Sequence, residues 1–215
     1  MTINSSVKTI LCYGDSNTWG ANPKDDVRYP RDVRWPYILQ NLLGSEYEII
    51  SEGLPGRTFV AHDPVNPQRT GITHLQAIIE SHDPIDLIIV MLGTNDIKTT
   101  YGLVSKDIAN HLEQTIKLVQ EKDMGLLKRP QVLVICPPSP VEPENNPIDP
   151  RIARYPEFFS VLPKLYEEVA KKYKCSFINA GDYISSSKID GYHLDSDAHL
   201  KLAEVISEKI MKMEL

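Results

Sequence analysis

The chain has 215 residues, of which 41% are hydrophobic and 24% charged, a composition that suits one compact domain with a full core and no disulfide framework. Its 23 basic and 29 acidic residues leave a formal charge of -6 without a basic stripe, which argues against a nucleic-acid partner. The N-terminus lacks a signal-peptide pattern, and the longest apolar run, 87–92, is far shorter than the roughly 18 residues of a membrane span. The sequence therefore predicts a soluble, cytoplasmic protein with no membrane partner.

Short apolar runs alternate with helix-like segments along the whole chain. The runs predict five strands, several too continuously apolar to have a solvent-facing side, at residues 7–13, 47–52, 86–92, 131–136 and 175–179. Strands separated by helices pair in parallel through crossovers that cover both faces of a sheet. This order predicts an α/β fold, a three-layer α/β/α sandwich, with residues 1–215 forming one domain.

Helical spacing of apolar residues, together with stop signals, predicts the helices between these strands. The first two cover 35–43, ended by Gly44, and 72–82, ended before Pro84. Apolar stripes predict three more, in chain order Ile108, Leu112, Ile116, Val119, then Leu162, Leu165, Val169, Tyr173, and last Leu202, Ile206, Ile210, Met213. Asp195 is the predicted N-cap of the last helix.

The proline-rich segment 137–156 interrupts this alternation, because its prolines continue neither a helix nor a strand. A strand and a helix needed by the same sheet flank it, which predicts a long ordered loop within the domain. Loops of this length in compact domains are more often functional than not, which favours a pocket wall or an oligomer contact over simple covering.

Cysteine and histidine usage argues against disulfides and metal ligation. Cys12, Cys136 and Cys175 are odd in number, adjoin strand-like runs and lack metal-ligand spacing, so they are interpreted as core side chains. The histidines show no HxxxH or comparable pair. Neither a metal nor a cofactor is predicted, and most histidines are interpreted as surface or packing residues: His62, His74, His82, His111 and His199.

Four short polar motifs follow strand ends. GDSN at 14–17, EGL at 52–54 and GTND at 93–96 come after the first three strands, and DGYH at 190–193 lies between the fifth strand and the last helix. The carboxyl ends of parallel strands meet at the edge where an open α/β sheet forms its crevice. The motifs are therefore expected to converge on one site.

The first and last motifs together supply a nucleophile and its base. Ser16, directly after a strand, can present its hydroxyl at the sheet edge, and a serine hydroxyl needs an adjacent base at neutral pH. Imidazole, with an ordinary pKa of about 6.5, suits that role, and His193 is the preferred candidate. Asp190 lies three residues before His193 and can bond its Nδ1–H, which leaves Nε2 to accept from Ser16.

The middle motifs supply donors for negative charge on a carbonyl oxygen. The Ser16 amide is one such donor, and Gly53 offers an amide with no side chain to block close approach. Asn95 offers its side-chain NH₂. Its neighbour Asp96 is interpreted as a cap for the segment that follows, and Asp15 as a residue that holds its turn.

The four motifs, in this order, resemble the signature blocks of the SGNH, or GDSL-type, serine hydrolases. The resemblance runs from about Val7 to His193 and implies a flavodoxin-like five-stranded parallel sheet, the SGNH hydrolase fold. It implies Ser16 as nucleophile with the Asp190 and His193 pair as base, and Gly53 and Asn95 as oxyanion donors with the Ser16 amide. One position departs from the family pattern, since Asn17 replaces the usual leucine after the serine.

Longer stretches are similar to the bacterial arylesterase and acyltransferase branch of that family, namely GDSNTWG, DVRW, EGLPGRT and LIIVMLGTND. This similarity implies a small ester substrate with a short acyl or aryl group, water or an alcohol as acyl acceptor, and a homo-oligomer. Asn17, Trp19 and Thr94 are the candidate pocket residues. Trp35, Arg34 and Arg57 are interpreted as structural.

Three other functions are alternatives to a serine esterase. A metallophosphoesterase would need a histidine where Thr94 or Asn95 stands, and a GHxH motif that the chain lacks. A phosphate-binding module would need GxGxxG or GxxxxGK[ST] after the first strand, and neither occurs. A non-catalytic ligand-binding protein on the same fold is the remaining alternative.

Overall fold

The computed structural model describes residues 7–120 and 126–215 and contains one parallel sheet. Its strands are β1 Lys8–Gly14, β2 Tyr47–Gly53, β3 Leu87–Met91, β4 Gln131–Cys136 and β5 Ser176–Asn179. They lie in the order β2-β1-β3-β4-β5, and every neighbouring pair is parallel. The predicted five-stranded parallel sheet is confirmed.

Seven α-helices are found in the described ranges. They are α1 Ser16–Trp19, α2 Trp35–Leu43, α3 Gly71–Ser81, α4 Ser105–Val119, α5 Tyr155–Phe159, α6 Leu162–Lys172 and α7 Ser196–Ile210. All five predicted helices are present, α2 with its predicted bounds and the others within three residues of expectation. The Asp195 side chain accepts a hydrogen bond from the Ala198 amide at 2.9 Å, which confirms the predicted N-cap of α7. No helix in the described ranges is long and apolar enough to cross a membrane.

Two apolar cores cover the two faces of the sheet, as a three-layer sandwich requires. Ile88 and Val90 of β3 face the core formed with α3, α4 and α6, whereas Leu87, Ile89 and Met91 face the core formed with α2 and α7. All five side chains are at most 1% exposed. A strand buried on both sides has no polar face to alternate with, which explains the continuous apolar run of β3.

The long ordered loop predicted over 137–156 ends earlier than expected, because its C-terminal end already belongs to a helix. A 3-10 turn covers Pro150–Ile152, and α5 begins at Tyr155. Proline is tolerated in the first turn of a helix, where its missing N–H has no intrahelical acceptor, and Pro156 occupies such a position. Proline therefore marks the start of this helix.

His199 of α7 is a buried packing residue between the sheet's second core and the loop before α2. Its Nδ1 accepts the Trp35 amide at 3.3 Å, and its ring meets the Tyr29 ring edge-on at a centroid distance of 5.6 Å. Its Nε2 has no hydrogen-bond partner among the residues that the structure describes. Burial lowers the pKa of His199 to about 4, from a usual value of about 6.5.

Between pH 6.5 and pH 4 the unfolded chain therefore binds more protons at this position than the folded chain, so the contribution of His199 to stability falls as pH falls. We expect wild type to lose about 2 kcal/mol more unfolding free energy than His199→Asn between pH 7 and pH 5, because a neutral asparagine has no proton to gain. Urea unfolding at both pH values measures this difference. His74→Asn, at an exposed site of α3, is the control, and equal losses in wild type and His199→Asn would contradict the assignment.

Candidate active site

The loop after β1 presents Ser16 at the sheet edge. Asp15, next to the last residue of β1, accepts the Asn17 amide at 3.0 Å and so caps α1, whose first residue is Ser16. Asp15 thus holds the turn, as its sequence position suggests. With this cap in place, the half-buried Ser16 side chain lines a cavity at the sheet edge.

A continuous hydrogen-bonded chain joins Ser16 to two residues of the loop before α7. His193 Nε2 lies 3.0 Å from Ser16 Oγ, and His193 Nδ1 lies 2.6 Å from Asp190 Oδ2. The other Asp190 oxygen accepts the backbone N–H groups of Tyr192 and His193, each at 3.1 Å. The Asp190 carboxylate therefore fixes the turn that carries the imidazole as well as the imidazole itself.

Asn17 holds that loop from the opposite side. Its Nδ2 donates to the Tyr192 carbonyl at 3.1 Å, and its Oδ1 accepts the Leu194 amide at 3.0 Å, so one amide side chain pairs with the backbone on both sides of His193. Asn17 is only 2% exposed and is not one of the residues that line the cavity. This corrects the expectation of a pocket residue, and it gives the departure from the family's leucine a positioning role.

Gly53, the last residue of β2, lies against the start of α1. A Cβ atom there would stand 2.2 Å from the Trp19 nitrogen and 2.6 Å from the Thr18 carbonyl carbon. Only glycine allows this approach, because backbone atoms cannot move aside as a flexible side chain can. The parallel register pairs Gly53 with Gly14, which brings it to the same sheet edge as Ser16.

Asn95 is 8% exposed and lies in the loop after β3. Its Nδ2 is 3.3 Å from Asp15 Oδ2 and 3.2 Å from the Arg57 carbonyl oxygen. Both are long contacts for N–H···O hydrogen bonds. The amide is thus oriented by the loops after β1 and β2, the same two loops that hold Ser16 and Gly53.

Arg57 ties those two loops together. Its Nη1 donates to the Gly14 carbonyl at 2.9 Å and makes a short hydrogen bond to the Glu52 carbonyl, and its guanidinium stacks on the Tyr13 ring at 4.1 Å. The structural interpretation of Arg57 therefore fits its contacts. The sequence did not indicate that both acceptors are backbone carbonyls at the strand ends that carry the site.

Asp96 is fully buried and does not cap the following segment, contrary to expectation. Its carboxylate accepts the Phe59 amide at 3.1 and 3.3 Å and lies 3.9 Å from His111 Nδ1. The loop after β3 is thereby tied to the segment after β2. Burial raises the pKa of Asp96, and it raises the pKa of Asp15 to about 6.

A third carboxylate lies near the imidazole. Asp26 Oδ1 is 3.6 Å from His193 Nδ1, but its side chain is 78% exposed. Within residues 7–120 and 126–215, Asp26, Asp190 and His193 are the one group dense enough in ligand atoms to hold a metal ion. An ion bound there would compete with the 2.6 Å contact between His193 and Asp190.

A cavity of about 340 Å³ opens over Ser16 and His193. Two of the three candidate pocket residues, Trp19 and Thr94, line it. The segment 137–156 contributes a wall through Asp149, Arg151 and Ile152, which the pocket-wall interpretation of this segment anticipates. Its other lining residues are Ala21, Asp26, Pro55, Gly56, Arg69, Asn95, Lys98 and Tyr192.

The chain belongs to the GDSL-like lipase/acylhydrolase family, whose sequence profile matches residues 12–203. An acetylxylan esterase of Xylanibacter ruminicola is 27% identical over 94% of this chain, which spans 42% of that protein's length. A carbohydrate acetylesterase from Sinorhizobium meliloti shares 35% identity and a TM-score of 0.88, covering 95% of this chain and 98% of its own. The aryl esterase of M. smegmatis is 33% identical, with a TM-score of 0.89, and the match covers 97% of this chain and 100% of the esterase chain. These homologues are carboxylic ester hydrolases, and the SGNH hydrolase fold and family are confirmed.

Proposed function

We propose that this protein is a serine esterase that hydrolyses short-chain acyl or aryl esters through an acyl-enzyme on Ser16. The observation that carries the proposal is the unbroken hydrogen-bonded chain from Asp190 through His193 to Ser16 Oγ. It has the geometry in which a carboxylate orients an imidazole and the imidazole activates a hydroxyl.

In the first half of the reaction, Ser16 Oγ attacks the ester carbonyl carbon while its proton passes to His193 Nε2. The tetrahedral intermediate collapses as the same proton passes to the leaving alcohol oxygen and the carbon–oxygen bond breaks. Asp190 stabilises the imidazolium that forms between these two transfers. The product of this half is an acylated Ser16 and a free alcohol or phenol.

In the second half, His193 Nε2 takes a proton from water as the water oxygen attacks the acyl carbon. The same proton then passes to Ser16 Oγ as its bond to the acyl carbon breaks, which releases the carboxylic acid and restores Ser16. An alcohol in place of water would give acyl transfer, which remains part of the proposal. The homo-oligomer and the cytoplasmic location also remain predictions from the sequence.

The negative charge on the carbonyl oxygen is stabilised by the amides of Ser16 and Gly53 and by Asn95 Nδ2. The two contacts that Asn95 now makes are long, so one of its N–H groups can turn toward the oxyanion as charge develops. The Gly53 amide is held before substrate arrives, because Gly53 packs closely against the backbone of α1.

Hydrolysis of 4-nitrophenyl acetate, with intact mass measured after treatment with a fluorophosphonate probe, tests the proposed function. We expect steady turnover and one covalent label per chain. Neither turnover nor label would favour the non-catalytic ligand-binding protein on the same fold. Turnover without a label would favour hydrolysis that does not use a serine nucleophile.

Asn95→Ala is expected to lower kcat by about 10²–10³-fold, which corresponds to roughly 2.7–4 kcal/mol, with a much smaller change in KM. The reason is that the lost N–H interacts with the oxyanion of the transition state and only weakly with the ground-state carbonyl. Steady-state kinetics measure the changes in kcat and KM separately, and Asn110→Ala, at an exposed position of α4, is the control. A change confined to KM would assign Asn95 to substrate binding instead.

A further inference from the structure

Three cationic side chains line the cavity over Ser16, and each comes from a different loop. Arg69 ends the 3-10 turn Pro67–Arg69, Lys98 directly precedes the turn Thr99–Tyr101, and Arg151 lies within the turn Pro150–Ile152. The first follows β2, the second follows β3 and the third follows β4. Three segments distant in sequence thus place positive charge on one cavity.

Two of these cations have carboxylate partners, and the third has none. Arg151 is held by Asp149 through its Nε, at 2.9 and 3.0 Å, and its Nη2, at 2.5 Å. Arg69 lies at the longer distance of 3.8 Å from Asp63. Among residues 7–120 and 126–215, no ion pair or hydrogen bond is made by the half-buried Lys98 amine.

The surroundings of Lys98 disfavour its positive charge. Burial lowers the pKa of Lys98, and the guanidinium groups of Arg151 and Arg69 lower it further. An anion that enters the cavity would stabilise this half-buried ammonium, which lies beside two like charges and makes no ion pair of its own among the described residues.

Gly56 leaves space for the Arg69 side chain at the edge of the cavity. Its φ of +80° is in the left-handed region, and a Cβ atom there would stand 2.9 Å from both Cδ and Nε of Arg69. The Arg69 side chain therefore lies directly across the backbone of Gly56, which itself lines the cavity. The position of the guanidinium therefore depends on this packing as well as on the ion pair with Asp63.

The nearby carboxylates only partly offset these effects. Asp15 and Asp149 raise the pKa of Lys98, but less than burial and the two guanidinium groups lower it. Asp149 is already paired with Arg151, and Asp26 lies 3.6 Å from His193 Nδ1. Lys98 thus remains without an ion-pair partner in the described part of the chain.

We propose that the ester substrate of this enzyme carries a carboxylate group, which binds to Lys98 beside Arg151 and Arg69 while the ester carbonyl lies at Ser16. This inference rests on the proposed esterase function and adds the charge class of the substrate. The carboxylate belongs either to the acyl group or to the leaving group of the ester. A separate pair of esters tests each of these two positions.

Paired esters that differ in charge test the proposal. For the leaving group, 4-acetoxybenzoate is compared with 4-acetoxybenzamide, and for the acyl group, monoethyl adipate is compared with the ethyl ester of adipamic acid. The measured quantity is the ratio of kcat/KM for the anionic ester to that for the neutral one. Comparing this ratio between wild type and a variant cancels the difference in intrinsic reactivity of the two esters.

In at least one pair, we expect Lys98→Met to lower this ratio by about tenfold or more, an effect equal to about 1.4 kcal/mol. Methionine keeps an unbranched side chain, one heavy atom shorter than that of lysine, and removes the charge. Lys201→Met, at an exposed site of α7 where Lys201 pairs with Glu204, is the matched control and should leave the ratio within twofold. A ratio that Lys98→Met leaves unchanged in both pairs would overturn the proposal.

A binding measurement separates this inference from the proposed function. Calorimetry on Ser16→Ala, which cannot form the acyl-enzyme, compares 4-hydroxybenzoate with 4-hydroxybenzamide for the leaving group, and monoethyl adipate with the ethyl ester of adipamic acid for the acyl group. In at least one pair, we expect the carboxylate to bind at least tenfold more tightly. Adding Lys98→Met should abolish that difference, and equal binding within both pairs to Ser16→Ala would contradict the anion site. If wild type hydrolyses no ester while this preference holds, the proposed function fails and the anion site stands.

Discussion

Ser16→Ala is expected to lower kcat for short-chain esters by about 10⁴-fold or more, because the side chain that forms the acyl bond is gone. Ser16 Oγ contacts His193 Nε2 at 3.0 Å, and its loss leaves the other contacts of the loop in place. The variant should therefore unfold within about 0.5 kcal/mol of wild type. Residual turnover and urea unfolding measure the two effects.

The label from a fluorophosphonate probe should disappear in the same variant. Ser160→Ala is the matched control, since Ser160 is exposed and bonds only to a carbonyl of its own segment. That control should keep full activity and full labelling. A Ser16→Ala variant that keeps more than a tenth of wild-type turnover would remove Ser16 from the role of nucleophile.

Asp190→Asn is expected to lower kcat by about 10⁴-fold, almost as much as removal of the nucleophile. An asparagine amide that donates to His193 Nδ1 would place the ring proton on Nε2, where it could no longer accept from Ser16. The oxygen of the new amide can still accept the Tyr192 and His193 backbone N–H groups, so the turn should persist. Kinetics combined with the thermal unfolding midpoint separate loss of function from loss of fold.

Asp26→Asn is the control for this variant, because Asp26 also lies near His193 Nδ1, at 3.6 Å, but is mostly exposed. Its longer, solvated contact should contribute far less to the orientation of the ring. We expect Asp26→Asn to lower kcat by less than tenfold. A larger decrease in kcat for Asp26→Asn than for Asp190→Asn would assign to Asp26 the role of orienting the His193 ring.

The fold could be predicted from the sequence because its strands are buried on both faces. Strand β4 was predicted with its observed bounds, and the others differ by one residue at either end. The two short helices, α1 and α5, could not be predicted, since four or five residues complete too few turns to show helical periodicity. Their existence depends on local caps and on the prolines of the segment before α6.

Ser16, His193 and Asp190 could be predicted because the sequence motif and the chemistry of their side chains indicate the same roles. The residues that hold those groups in place could not. Asn17 pairs with a backbone segment 175 residues away, and the Asp96 carboxylate reaches the Phe59 amide in another loop. Such contacts depend on how distant loops pack at the sheet edge, which neither periodicity nor spacing records.

Ser16 and His193 lie 177 residues apart in sequence, and all strands but β1 are between them. The two groups meet only when the loop between β5 and α7 packs beside the loop after β1, and the pairing of Asn17 with the His193 loop depends on the same event. A chain folded only through its first strands thus has a serine but no base. Recovery of esterase turnover during refolding should therefore report completed folding of the whole domain, later than signals from its early strands.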